Sequence, residues 1–454
     1  MEHISIRKML RQSRIHRLST ALFGRELSGA LLADMVLAGA LLAGLSGAAA
    51  HAEELQVLHW WESISEHKAV EVLATRLNEE NIAWREVLVP GGSGVGASIV
   101  LKSRVLTNDA PEVAQLNGLV TIREWADLGL LREFDAVAAN GKWSTLLFPM
   151  VFELVQPRGH VVAAPLGIHR INTLFYNRKL LAQVNALPPR DWDEFERVAA
   201  KLQQAGIVPL AQSSEPWQVA TLFENLVLAE GGAQLFRELF VKKEPDAFAD
   251  ARLAQALTRL RSLKKWMALP LQERRWTDVA HQFAEGGAAM MVMGDFVKGE
   301  LNAWGLPTDG MFGCTGAPGT DGYHLYDIDT LVMLAKDGSH HSAQERLAQL
   351  TLTPLIQAEY NQIKGSIPVL RNPDLSKLDS CARASSKLFG RGASVQVPSL
   401  AHRMATDEVT KDAIIAEVQR YFINDQVTVA DTQRRLSAIA RALTKVKARN
   451  QTKT

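Results

Sequence analysis

The sequence predicts an α/β protein, on three observations. Short apolar runs alternate with amphipathic helical stretches from residue 53 onward. At 454 residues the chain is long enough for two or more cored domains. Its composition, 47% hydrophobic and 22% charged, is that of a globular chain. The formal charge of +1 carries no electrostatic footprint for nucleic acid.

The front of the chain stands apart. MVLAGALLAGLSGAAAHAEE is an apolar run ending in small residues, with Ala50 and Ala52 in an A-x-A pattern. This reads as a secretory signal peptide over residues 1–52, cleaved before Glu53. The basic stretch before it is long for such a leader, so the coding start is expected to lie further downstream. Without residues 1–52 the charge becomes −2. An exported chain would carry Cys314 and Cys381 into a compartment where a disulfide persists, and a bond between them is expected.

EELQVLHWW reads as a strand and SEHKAVEVLATRLNEEN as the helix after it. Ser63 or Ser65 would cap that helix, with Ala69, Val70, Leu73 and Leu77 on its apolar side. Adjacent residues of a strand point to opposite faces. Trp60 and Trp61 therefore belong either to a sheet covered on both faces or to the strand's end, where they would line a cleft. IAWREVLVP reads as the next strand, SGVGASIVLKSRVLTND as a helix and APEVAQLNG as a further apolar segment. The alternation predicts mainly parallel strands.

HVVAAPLGIHRINTLFYN holds two apolar runs, with the break expected at Pro165 and Gly167. PPRDWDEFERVAAKLQQAG is a helix with prolines before it, acids in its first turns and glycine after it. HQFAEGGAAMMVMGDFVKGEL gives helix, turn, buried strand and a new helix start. After GYHLYDIDTLVMLAKD the chain reads as mostly helical, closing in a solvated basic tail over residues 446–454.

Motifs for nucleotide and metal chemistry fail. GGSGVGAS lacks both phosphate-loop patterns and reads as a turn before a helix, able to help bind a neutral ligand. The histidines are scattered, so no metal site is expected, and no cofactor motif is present. Glu62, Glu66, Asp295, Asp327 and Asp329 could include a pair of catalytic carboxylates, as in a glycosidase. Ionised acids accepting sugar hydroxyls explain the same residues without catalysis. Residue chemistry alone leaves both readings open.

LHWWESISEHKAVEVL, HRINTLFYNRKLL, FAEGGAAMMVMGDFVKGE, APGTDGYHLYDIDTLVM, YNQIKGSIPVL and PSLAHRMA occur in this order. Together they resemble the periplasmic sugar-binding proteins of ABC transporters, nearest their glucose- or mannose-binding branch, over roughly residues 54–445. The resemblance implies a non-enzymatic receptor in the periplasm, a monomer that binds a saccharide and meets transporter permease subunits. It implies a two-lobed periplasmic-binding-protein fold with crossover hinge strands and a ligand cleft between the lobes. Lobe one would hold residues 53–165 and 325–370, and lobe two residues 166–324 and 371–445. Its ligand site would include Trp60 and Trp61 stacked on a pyranose face. Glu66, Asp327 and Asp329 would accept hydroxyl hydrogens, Lys364 would donate, and His402 would reach the sugar from lobe two. His169 and Asp295 complete the implied set. Asn117 stands where related members tend to carry lysine, Thr173, Leu174 and Phe175 where tryptophan is frequent, and Phe296 where GDW is common. These departures imply a roomier or less charged edge, and a different hexose, a disaccharide or a polyol stays open beside glucose. A sensor in place of the importer, or a secreted carbohydrate-active enzyme, are the alternative roles.

Overall fold

The structure, a computed structural model, describes residues 53–336 and 338–451. The expected signal peptide and residues 452–454 lie outside the described residues. No described helix is long and apolar enough to cross a membrane.

Strand β1 (Glu53–His59) is flanked by β2 (Ile82–Leu88) and β3 (Val113–Gln115), both parallel to it. With neighbours on both edges and helices over it, β1 buries Val57, Leu58 and His59 in succession. The strand ends at His59, so Trp60 and Trp61 leave its carboxyl end instead of continuing the sheet. Helix α1 (Ile64–Asn78) follows, and α2 (Val95–Leu106) starts after the glycine turn at Gly92–Gly94.

Strand β4 (Ala163–Arg170) pairs antiparallel with β9 (His324–Met333), which is also antiparallel to β3. Strand β10 (Gln396–Pro398) completes this six-stranded sheet beside the start of β9. A second sheet has the order β6-β7-β5-β8, formed by β5 (Thr173–Asn177), β6 (Leu210–Ala211), β7 (Met290–Met293) and β8 (Phe312–Gly316). The expectation of mainly parallel strands, drawn from the segments up to Gly118, matches β1, β2 and β3, whereas in the second sheet β5 is antiparallel to both β7 and β8. Strand β4 leaves the first core toward the second and β9 comes back from it, so the two run antiparallel. The break expected at Pro165 and Gly167 is also absent. Strand β4 runs through both residues with a shifted register, which accommodates the missing proline N–H, and the turn comes at Ile171–Asn172.

Two hydrophobic cores result. The first gathers Leu55, Val57, Leu73, Ile168 and Ile328 with their neighbours, the second Ile171, Phe175, Phe223, Met291 and Leu325 with theirs. Strands β4 and β9 thus pass from one core into the other at residues 169–170 and 326–327. Around the second core lie α3 (Pro216–Arg237), α4 (Trp276–Ala284) and α5 (Phe296–Ala303). Helices α6 (Pro354–Lys364) and α7 (Ser380–Phe389) contribute Tyr360, Ala382 and Phe389 to the first core. Helices α8 (Glu408–Ile423) and α9 (Val429–Gln451) return to the second, and α9 takes in most of the segment expected as a solvated tail. Cys314 on β8 and Cys381 on α7 form a disulfide, their Cα atoms 6.1 Å apart.

Candidate functional site

The crossing strands place the first polar groups. In the β4–β9 register His169 faces Asp327 and Gly167 faces Asp329, so the two aspartates, two residues apart, share one face of the pair. Gly167 is required because a Cβ there would lie 2.3 Å from the side-chain oxygen of Asn361 on α6. His169 is buried with Nδ1 2.6 Å from Asp295 and Nε2 3.2 Å from Asp329. Burial works against a charge on this ring, but Asp295 and Asp329 outweigh both burial and the repulsion of Lys364. Its pKa is held up at about 9.

The first core adds the start of α1 and the end of α6. Ser63 caps α1 and Glu66 closes a capping box, its Oε2 accepting from the backbone N–H groups of Glu62 and Ser63 at 3.0 and 3.1 Å. The other oxygen, Oε1, accepts from Lys364 Nζ at 2.9 Å. Lys364 lies at the last turn of α6 and stands 3.8 Å from Asp329. Past β3, Asn117 donates to Asp329 at 3.1 Å and to Asp327 at 3.4 Å, and Gln115 donates to Asp329 at 3.2 Å. Burial would raise the Asp329 pKa, but Lys364, His169 and Asn117 reverse this and keep it well below the usual carboxylate range. Asp327 is the opposite case, pushed up to about 7 by burial and by the charge of Asp329.

These groups border a narrow cavity of about 50 Å³. Trp60 and Trp61 form part of its wall from the first core. Trp61 is 1% exposed and belongs to that core as well, with its ring 6.4 Å from Tyr360. Trp60 is only half-buried. Facing them are Trp217 near the start of α3, Trp276 at the start of α4 and Phe296 at the start of α5. Phe296 meets Trp276 edge to face at 5.0 Å and His169 at 5.8 Å. The rim is closed where Ser93 donates to the Ala401 carbonyl at 2.9 Å and Lys102 on α2 pairs with Glu408 on α8.

Trp60, Trp61, Glu66, Asn117, His169, Asp327, Asp329, Lys364 and His402 all border this cavity. Asp295 stands behind it and acts on it through His169. Two of the acids weighed as catalysts are committed to other groups: Glu66 to a helix cap and a lysine, Asp329 to a lysine, a histidine and two amides. Sequence reasoning missed Trp217, Trp276 and Arg403. The two tryptophans repeat the signal of Trp60 and Trp61, an aromatic side chain beside a helix start. Glu133, Asp135 and His160 also come close enough to share a cation, but all three are exposed and none borders the cavity.

The sequence profile of the family described as "Bacterial extracellular solute-binding protein" matches residues 62–344. A "Probable sugar-binding periplasmic protein" of Brucella suis biovar 1 is 32% identical over 407 residues, covering 89% of this chain and 96% of that protein. One of the same description from Rhizobium meliloti is 32% identical over 387 residues, covering 83% and 91%. Among solved structures, the bacterial solute receptor AcbH, described as preferring β-D-galactopyranose, superposes with a TM-score of 0.75 at 18% identity, covering 87% of this chain and 99% of its own. Maltose-bound T. maritima MalE3 does so at 0.71 and 17% identity, covering 86% and 100%. At such identities the structural likeness speaks for the fold.

Proposed function

The chain belongs to the bacterial extracellular solute-binding protein family, a family of periplasmic or extracellular receptors and not of enzymes, and from that membership we propose that its cavity binds a monosaccharide for delivery to an ABC importer. The observation that carries this reading is one cavity lined both by aromatic side chains from the two cores and by hydrogen-bonding groups. Aromatic faces suit the C–H faces of a pyranose, and acceptors and donors around the rim suit its hydroxyls. The relatives described as sugar-binding support the ligand class.

Within this reading Trp60 and Trp61 wall one face of the sugar, with Trp217 and Trp276 across from them. Asp327 and Asp329 accept hydroxyl hydrogens, and Asn117 and Lys364 hold those acids in place. His402 donates from the second core. The crossings at residues 169–170 and 326–327 serve as the hinge, so a ligand touching both faces stabilises the closed form that an importer recognises. A hexose such as glucose fits the small closed cleft better than an oligosaccharide.

Calorimetry with glucose, mannose, galactose, xylose and a set of disaccharides tests this directly. One monosaccharide is expected to bind one to one, with disaccharides much weaker. If no saccharide binds at millimolar concentration, the receptor reading falls. A disaccharide that binds more tightly than every monosaccharide removes the size assignment while keeping the class.

A further inference from the structure

The segment Ser399–Ala405 is a tight turn held from below by Glu224 of α3. Glu224 accepts from Ser399 Oγ at 2.8 Å and from the Leu400 and Ala401 backbone N–H groups at 2.6 and 3.3 Å. The backbone closes on itself, with the Arg403, Met404 and Ala405 N–H groups donating back to Leu400 and Ser399 carbonyls. At Arg403 the chain takes a φ of +67°, a left-handed conformation that costs a non-glycine residue roughly 1 kcal/mol or more. Gly118 fits directly against this turn, since a Cβ there would lie 2.2 Å from the Arg403 carbonyl oxygen.

This strained, anchored turn presents one side chain whose chemistry is incomplete. Arg403 is 4% exposed and borders the cavity. Its Nε and Nη2 have no hydrogen-bond partner among the described residues, and its nearest carboxylate, Glu408, lies 3.8 Å from Nη2. The guanidinium carbon sits 5.5 Å from the centre of the Trp60 ring, on the wall opposite. Buried donors left unpaired are costly, and a guanidinium presents its N–H groups as a planar fork. A structure that strains its backbone to place such a fork in a cavity is built for an acceptor pair that arrives with the ligand.

We propose that Arg403 is a specificity-determining residue that donates from Nε and Nη2 to two neighbouring oxygens of the bound saccharide. The inference rests on the saccharide reading above and sharpens it. The oxygens are those of adjacent ring hydroxyls and not of a carboxylate. Glu62, Glu66, Asp327 and Asp329 border the same cavity against Lys364, His169 and Arg403, so the positive charges there are already balanced and a negatively charged sugar would find no spare cation. The ligand is therefore a neutral sugar with a vicinal diol turned toward the second core.

The test uses the full mature protein and the tightest sugar of the calorimetric panel, with its single-deoxy analogues. Arg403→Lys keeps the charge but loses the fork, and is expected to weaken that sugar about 10–100-fold. Against one deoxy analogue the loss should shrink to near nothing, because the hydroxyl it serves is already gone. Arg403→Gly relieves the left-handed backbone, so its melting temperature should hold or rise while affinity falls. A residue needed only for folding would move both downward. Arg403→Lys binding the whole panel as the wild type does overturns the inference, and so does Arg403→Gly losing stability with affinity intact. A uronate that binds more tightly than its parent hexose overturns the diol assignment. Failure of every sugar to bind the wild type would instead strike the receptor reading itself.

Discussion

The two faces of the cavity differ in how far their polar groups are already satisfied. On the first-core face both Glu66 oxygens are engaged, Lys364 joins Glu66 to Asp329, and Asn117 and Gln115 donate to Asp329, so the acids that meet the sugar are held in place before it arrives. On the second-core face His402 Nε2 and Arg403 Nε and Nη2 have no hydrogen-bond partner among the described residues. The difference teaches a division of labour: one face is a rigid, charge-balanced floor, and the other supplies donors that only a ligand completes. A cleft built this way gains from closing only when a molecule with matching acceptors lies within it.

The largest expected effect breaks the floor. Lys364→Met leaves Glu66 and Asp329 buried without their cation, so stability should fall by about 3–5 kcal/mol in denaturant melts. Sugar binding should be lost with it. A Lys364→Met protein as stable as the wild type would mean the floor is not held by charge pairing.

The tryptophan pair sharpens the contrast between packing and contact. Trp61→Ala empties a fully buried site and should cost about 3–5 kcal/mol of stability as well as affinity. Trp60→Ala should barely move the melting temperature while weakening binding by about 1.4 kcal/mol, a tenfold loss. If both substitutions leave affinity unchanged in folded protein, sugar stacking on this wall is wrong.

The smallest effect is a pH dependence centred on the crossing strands. His169 has its pKa raised from 6.5 to about 9, so its charge stabilises the fold fully below pH 6.5 and this contribution is lost as pH rises through 9. Asp295 and Asp329 face the ring and favour the charge, while Lys364 opposes it. Asp327, raised to about 7, ionises at a cost to the fold, so stability also declines from about pH 4 to 7. Melts of His169→Gln across pH 6 to 10 should lack the alkaline decline that the wild type shows. An unchanged decline would place its origin elsewhere.

Much of the first-core face was legible in the sequence because its residues sit at punctuated positions. Ser63 and Glu66 announce a helix start, and the paired tryptophans end an apolar run. Asn117 was visible only as a departure that should leave an emptier edge. In the fold it is buried, and its single amide reaches both aspartates, so a short side chain placed close substitutes for reach. The antiparallel β4–β9 crossing could not be read locally, since its partners lie more than a hundred residues apart. Trp217 and Trp276 were not singled out, because a tryptophan at a helix start does not tell which cavity it borders. Arg403 was hidden for a deeper reason: its strain and its missing partners exist only in three dimensions.

Solution scattering on the mature protein, alone and saturated with the tightest sugar of the panel, tests the joining of the two faces most directly. Closure about residues 169–170 and 326–327 predicts a smaller radius of gyration with sugar, and predicts that Arg403→Lys needs more sugar to reach it. A profile unchanged at saturation would contradict a cleft whose second face is completed by the ligand.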